Sequence, residues 1–181
     1  MAKTFTPLQT AQLVLRPMTP ADWPAIHRYM SDPVVTRWLP AGLMDEAQTQ
    51  AWTRKNAGRA AKAVAVIERA SGQLVGHIDF HPWFGHATHE IGWAIAADRQ
   101  GRGYATEAAR AMIDFAFAAL RCHRMVATCQ PQNVASWRVM ERLGMRREAH
   151  FLQGLYRPTG EWWDEYFYAL LAAEHVAASP G

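Results

Sequence analysis

The residues best suited to do chemistry in this chain are Gln100-Gly101-Arg102-Gly103-Tyr104-Ala105, which lie between a β-branched run and a long helical pattern. In such a strand-to-helix turn, successive backbone N–H groups converge on one point, and the helix start adds partial positive charge there. Gly101 and Gly103 permit dihedrals closed to other residues and leave no side chain to obstruct a bulky anion. Arg102 offers a charge-assisted contact to a phosphate. A pyrophosphate is the natural guest. Two familiar phosphate loops do not fit. A Walker A loop ends in Gly-Lys-Ser/Thr, whereas Gly103 precedes Tyr104-Ala105. A dinucleotide fingerprint needs a third glycine where Thr106 stands, and a place in a parallel βαβ unit near the first strand.

A second polar group is His77, Asp79 and His81, which share one face of a strand by their spacing of two, with His86 and His89 close in sequence. His and Asp are proper metal ligands, but strand residues two apart rarely converge on one tetrahedral ion, and no metal is expected. Cys122 and Cys129 are the only cysteines and form no C-x-x-C pair, which argues against a disulfide framework and a thiolate metal site.

The elements that must position these groups are legible in outline. Leu13–Arg16 reads as a strand stopped by Pro17, and Thr19-Pro20-Ala21-Asp22 as the start of a helix reaching Met30. A second helical region covers Asp45 to Arg59. Ala63–Glu68 and Leu74–Phe80 form a hairpin, and His89–Ile95 a third strand with Ile91, Trp93 and Ile95 on one face and Glu90 on the other. The glycine turn then leads into a helix from Tyr104 to Leu120. Arg124–Cys129 is a strand, and Val134–Leu143 a helix closed by Gly144. A ribbon ends the chain: Met145–Leu155, a Pro158-Thr159-Gly160 turn, and Trp162–Leu171. The order βααβββαβαββ makes one α/β domain over 11–174 with a mixed, mostly antiparallel central sheet, and leaves 1–10 and 175–181 as tails.

Bulk properties fit that outline. A chain of 181 residues, half of them hydrophobic, can bury a sizeable core. The net charge of +3 is scattered, without the run of like charges that marks a nucleic-acid tail. No stretch approaches about 18 apolar residues, so no membrane span is expected; with the scattered charge, neither nucleic acid nor membrane is an expected partner. No secretory leader is legible in Met1–Thr10, and a cytoplasmic location is expected. Eight tryptophans are an enrichment that either fills a core or lines a pocket.

With these residues set out, Glu90-Ile91-Gly92-Trp93 followed by Arg99 to Ala108 resembles the acyl-CoA-binding segment of the GNAT acyltransferases. Asn133-Val134-Ala135-Ser136 and Met140 to Met145 resemble the next shared segment of that superfamily. Leu13-Val14-Leu15-Arg16-Pro17, Asn133-x-x-Ser136 and Asp164-x-x-x-Tyr168-Ala169-Leu170 are similar to its RimJ/RimL-type branch of ribosomal-protein N-terminal acetyltransferases. The likeness runs over about 12–172.

The resemblance implies a GNAT fold and an N-acyltransferase that uses acetyl-CoA and attacks its thioester directly with an amine. Backbone amides from Gly101 to Thr106, with Gln100, Arg102, Tyr104 and Ala105 in the same segment, would hold the pyrophosphate. The strands carrying Trp93 and Ile95 and Arg124–Cys129 would splay around the pantetheine arm, with Asn133 hydrogen-bonding it. Glu90 matches the family's acidic position and would accept the ammonium proton; its alternative is an exposed strand carboxylate paired with a cation. Many relatives place a proton-donating Tyr where this chain has Met140. Ser136 would then contact the cofactor sulfur, or simply cap the helix start. Trp38 and Trp83 would flank the acceptor, with His77 and Asp79 on a polar wall. The acceptor would be a protein N-terminus or a small amine. A succinyl donor, or a module that senses acyl-CoA without turnover, are the alternatives. The ribbon from Trp162 offers a surface for a homodimer.

Overall fold

The computed structural model describes residues 5–58, 62–157 and 159–178. Arg59 at the expected helix end, Pro158 of the ribbon turn and residues 179–181 of the tail lie outside the described residues. Eight strands form one sheet in the order β1-β2-β3-β4-β5-β6-β8-β7. These are β1 (Leu8–Gln9), β2 (Leu13–Pro17), β3 (Ala63–Glu68), β4 (Leu74–Pro82), β5 (Thr88–Ile95), β6 (Arg124–Cys129), β7 (Arg146–Tyr156) and β8 (Trp162–Leu171). Every neighbouring pair is antiparallel except β5 and β6. The helices are α1 (Trp23–Met30), α2 (Pro33–Thr36), α3 (Glu46–Asn56), α4 (Tyr104–Ala119), α5 (Val134–Arg142) and α6 (Ala172–Ala178).

The mixed α/β architecture is the one the sequence leads to, with three short elements added. β1 has two residues, α2 four and α6 seven, too short for a hydrophobic period to register. β1 pairs with β2 through Leu8↔Leu15, so the sheet begins upstream of Leu13. Pro20 opens a single 3-10 turn over Pro20–Asp22, and α1 starts only at Trp23. The Asp22 carboxylate accepts from the Thr19 amide at 2.7 Å and takes the Arg16 guanidinium as a fork at 2.6 and 2.8 Å.

The period of two in the strands gives the sheet two apolar faces, each covered by helices. On one face, Leu13, Leu15, Val66, Ile78, Ile91 and Ile95 pack against Ala108, Ala109, Met112 and Ile113 of α4, and Met140 and Leu143 extend that cluster. On the other, Ala63, Ala65, Leu74 and Ala94 meet Ile26, Tyr29 and Met30 of α1. The small residues at 63, 65 and 94 let α1 approach closely. Gly76 does the same between strands, since a Cβ there would lie 2.3 Å from the Ala94 carbonyl oxygen. Among the described residues no helix is long and apolar enough to cross a membrane.

Candidate active site

The register of β5 against β6 creates the site. The two strands pair only through Thr88↔Arg124, His89↔Met125 and Glu90↔Val126. Beyond Glu90, β5 stays with β4 as far as Ile95↔Gly76, while β6 stays with β8 as far as Cys129↔Tyr166. The strands therefore part, and a cleft of about 700 Å³ opens from that vertex. Backbone groups on the parted edges lack ladder partners, and in native proteins such groups are satisfied by water or by an extended ligand. Trp93 and Ile95 from β5 and Thr128 and Cys129 from β6 line the cleft.

The glycine turn stands at its wide end. Gly101 has φ +76° and Gly103 φ +83°, both in the left-handed region, and Gly103 is the N-cap of α4. A Cβ built on either glycine meets nothing within 4 Å, so open space lies in front of both. Gln100 braces the turn by donating from Nε2 to the Ile95 carbonyl at 3.0 Å. Gly101, Gly103, Tyr104, Ala105 and Thr106 all line the cleft. The one acid of the first helical turn, Glu107, is bound elsewhere, accepting from Thr10 Oγ1 at 2.6 Å and from the Gln12 amide at 2.7 Å. The first N–H groups of α4 have no side-chain cap. This cradle suits a pyrophosphate in charge and in access.

Two side chains of the turn are engaged by Glu68. Arg102 does not line the cleft; its Nη1 lies 3.6 Å from Glu68 Oε1 and its Nη2 donates to the Asp98 carbonyl. Tyr104 points its hydroxyl into the protein and donates to Glu68 Oε1 at 2.5 Å. Glu68, buried at the end of β3, also accepts from Ser71 at 2.5 Å and pairs with Arg99 at 3.2 Å. The Ser71 and Tyr104 hydroxyls hold its carboxyl below the usual range. Sequence reading missed Glu68 because nothing local distinguishes one acid at a strand end; its partners come from three segments.

At the vertex stands Glu90, 20 % exposed in its side chain. Burial is the main cause pushing its carboxyl above the ordinary value; His81 opposes the shift, and Glu165 and Asp79 add to it. His81 Nε2 lies 3.5 Å from Glu90 Oε2. Asp79 sits opposite Gly92, and Glu165 reaches the same cleft from β8. Glu165 was not legible as a site residue, because only the β6–β8 pairing brings the ribbon here.

Asn133 and Ser136 line the cleft from the start of α5. Asn133 caps the helix, its Oδ1 accepting from the Ser136 amide at 3.3 Å. The capping that Ser136 was one candidate for thus falls to Asn133. Burial pushes the Cys129 thiol up to about 12, and the Ser136 side chain beside it opposes that shift. Met140 is buried beside them.

A further wall of the cleft is built by Val34, Trp38, Leu39 and Pro40 together with Leu155. Trp38 packs on Trp163 with centroids 5.5 Å apart. Asp79 is present on this wall, but His77 and Trp83 are not. His77 is 1 % exposed, its Nδ1 2.8 Å from the Tyr29 hydroxyl and its ring against Trp52, so it belongs to the α1–α3 packing. Trp83 lies beyond β4 in the hairpin to β5, packed on Phe84, its amide donating to the Thr88 carbonyl at 2.9 Å. Among the described residues no three His, Cys, Asp or Glu side chains come together to hold a metal ion.

Comparison with known proteins agrees with this geometry. Residues 12–146 match the acetyltransferase (GNAT) domain family. The chain is 43 % identical over 168 residues to the uncharacterised N-acetyltransferase YnaD of Bacillus subtilis, covering 92 % of this chain and 98 % of that protein. The crystal structure of a GNAT-family acetyltransferase from Bacillus anthracis superposes with a TM-score of 0.88 at 41 % identity, over 93 % of this chain and 99 % of that one. The ribosomal-protein-S5-alanine acetyltransferase of Vibrio fischeri shares the fold at a TM-score of 0.79 and 19 % identity, over 93 % of this chain and 97 % of that one. With the parted strands, the glycine cradle and these matches in agreement, the chain belongs to the GNAT family of acetyltransferases.

Proposed function

We propose that this acetyltransferase uses acetyl-CoA and moves its acetyl group to a primary amine by direct attack, without a covalent enzyme intermediate. The observation that carries the reading is the single cleft with the Gly101–Thr106 cradle at one end and Glu90 at the vertex of the parted strands. Acetyl-CoA supplies the acyl group already activated as a thioester. Gly101, Gly103 and the first amides of α4 bind its pyrophosphate, and the free edges of β5 and β6, with Asn133, take its extended arm. Glu90 accepts the proton of the incoming ammonium, a task favoured by a carboxyl whose burial raises its basicity. Ser136 provides a hydroxyl at the cleft for the departing sulfur, a position where Met140 offers no donor.

Asp79 and Glu165 give the acceptor side negative charge, and Trp38 gives it an aromatic wall, which favours a cationic amine over a neutral or acidic one. Within that class, a protein N-terminus is the reading supported by the RimJ/RimL-like motifs at Leu13–Pro17, Asn133–Ser136 and Asp164–Leu170. Melting curves with acetyl-CoA, succinyl-CoA, free CoA and NAD⁺ test the donor. A ligand at a hundred times its Kd stabilises by about 2.7 kcal/mol, so acetyl-CoA is expected to raise Tm clearly while NAD⁺ leaves it unchanged. No shift with any CoA compound would refute the reading; a larger shift with succinyl-CoA would replace the donor.

A further inference from the structure

We propose that His81 relays the amine's proton from Glu90 to solvent. The inference rests on the reading of Glu90 as the base and goes one step beyond it. His81 stands on β4 directly opposite Glu90 in the antiparallel register, and its Nε2 is 3.5 Å from Glu90 Oε2. Its other nitrogen, Nδ1, lies 3.3 Å from the Pro82 carbonyl oxygen. A carbonyl only accepts, so the Nδ1 contact is made by its N–H, and Nε2 is the nitrogen that faces the carboxyl and can take up a proton or hand it on. The His81 side chain lines the cleft and is 31 % exposed, against 20 % for Glu90. The imidazole is therefore the more open of the two groups at the vertex.

The need for such a group follows from the surroundings of Glu90. Burial is the main cause that holds its proton on, and Glu165 from β8 and Asp79 from β4, which share its cleft, add to it. Once protonated, Glu90 cannot serve the next amine until that proton leaves. A carboxyl next to an imidazole loses its proton readily, since imidazole is ordinarily more basic by roughly two pKa units. The neighbouring histidines are poorly placed for the task. His77 is buried with Nδ1 engaged by Tyr29. His89 has a buried Nδ1 without a partner, and its ring is stacked on Phe80.

The balance is simple. An ammonium nitrogen loses two protons on becoming an amide. The first passes from nitrogen to Glu90 Oε, then from Glu90 to His81 Nε2, and then to water; the second ends on the thiol product. No electrons change hands, and each turnover releases one proton to solution.

The test uses His81→Ala, His81→Gln and Glu90→Gln in the full chain, with acetyl-CoA and either benzylamine or an alanyl tripeptide as probe substrates. His81→Ala is expected to lower kcat at neutral pH by about tenfold or more, with KM for acetyl-CoA unchanged. Added imidazole, at constant ionic strength, is expected to restore the rate as its concentration rises. His81→Gln fills the same space and keeps a hydrogen bond but carries no proton, so it is expected to stay slow without rescue. Wild-type rates in His81→Gln, or a slow His81→Ala that ignores imidazole, would overturn the relay and leave Glu90 as the base. Wild-type rates in Glu90→Gln across pH would overturn both.

Discussion

At the scale of single residues, Glu90, as the proposed base, sets stability against activity. Burial, with Asp79 and Glu165 nearby, raises its carboxyl in the folded protein. For an acid with a raised folded pKa, the native state holds its proton where the unfolded chain has lost it. Stability therefore falls as pH rises through the window from the ordinary carboxylate value up to the raised one. Above that window the ionised Glu90 costs the fold its full penalty. Glu90→Gln is expected to melt higher than the parent at pH 8, and the gain should vanish at pH 4. Turnover should move the other way, falling about a hundredfold at neutral pH and less at high pH, where free amine is abundant. Thermal melts and pH–rate profiles on the same preparations check both; a variant that loses stability at pH 8 contradicts the burial argument.

At the scale of elements, the decisive feature is the divergence of β5 and β6 together with the turn that β5 feeds. The left-handed conformation at Gly103 costs a residue with a Cβ about 1–2 kcal/mol, although that Cβ would meet nothing within 4 Å. Gly72, in the β3–β4 turn, has φ +69° and equally open space, but lies outside the cleft. Gly103→Ala and Gly72→Ala are thus expected to lose similar stability. Only Gly103→Ala should weaken acetyl-CoA binding, by about tenfold or more if an extra group at the cradle costs 1.4 kcal/mol of affinity. Calorimetric titration of the two variants decides the matter; equal affinities would remove Gly103 from the cradle.

At the scale of the whole molecule, Arg157 joins the end of the chain to its beginning. It follows β7, is only 7 % exposed, and donates to the Leu39 carbonyl at 3.2 Å and the Arg37 carbonyl at 3.1 Å. Its guanidinium also lies over the Trp163 ring, 4.7 Å from the centroid. The segment it holds carries Trp38, Leu39 and Pro40, which line the cleft and form the proposed acceptor wall. Arg157→Ala is expected to cost about 1.5–3 kcal/mol, the scale of a charged hydrogen bond, in urea unfolding. Acceptor KM should rise severalfold while acetyl-CoA affinity holds, because the cradle lies on other elements. An unchanged acceptor KM would detach the ribbon from acceptor recognition.

How much of this was legible depended on whether the signal was local. The turn at Gln100–Ala105, the long α4 and the strand limits at Arg124–Cys129 and Trp162–Leu171 follow from spacing along the chain. The resemblance at Glu90–Trp93 and Asn133–Ser136 led to residues that do line one cleft. His77 was drawn toward the site because it shares a strand face with Asp79, but that face passes under α1 and α3 before it reaches the cleft. Periodicity names a face without saying what covers each part of it. Glu68, Glu165 and Arg157 were missed for the converse reason, each taking its role from partners far away in sequence.

The sequence by itself determined the elements, the glycine turn and the acid on the strand before it, because backbone propensity, glycine conformation and side-chain alternation act over a few residues. Only the tertiary structure decided where β5 leaves β6, which carboxylates crowd Glu90, which histidine faces it and what holds the Trp38–Pro40 wall of the cleft. Strand register, burial and electrostatic coupling act between segments that a sequence does not place side by side.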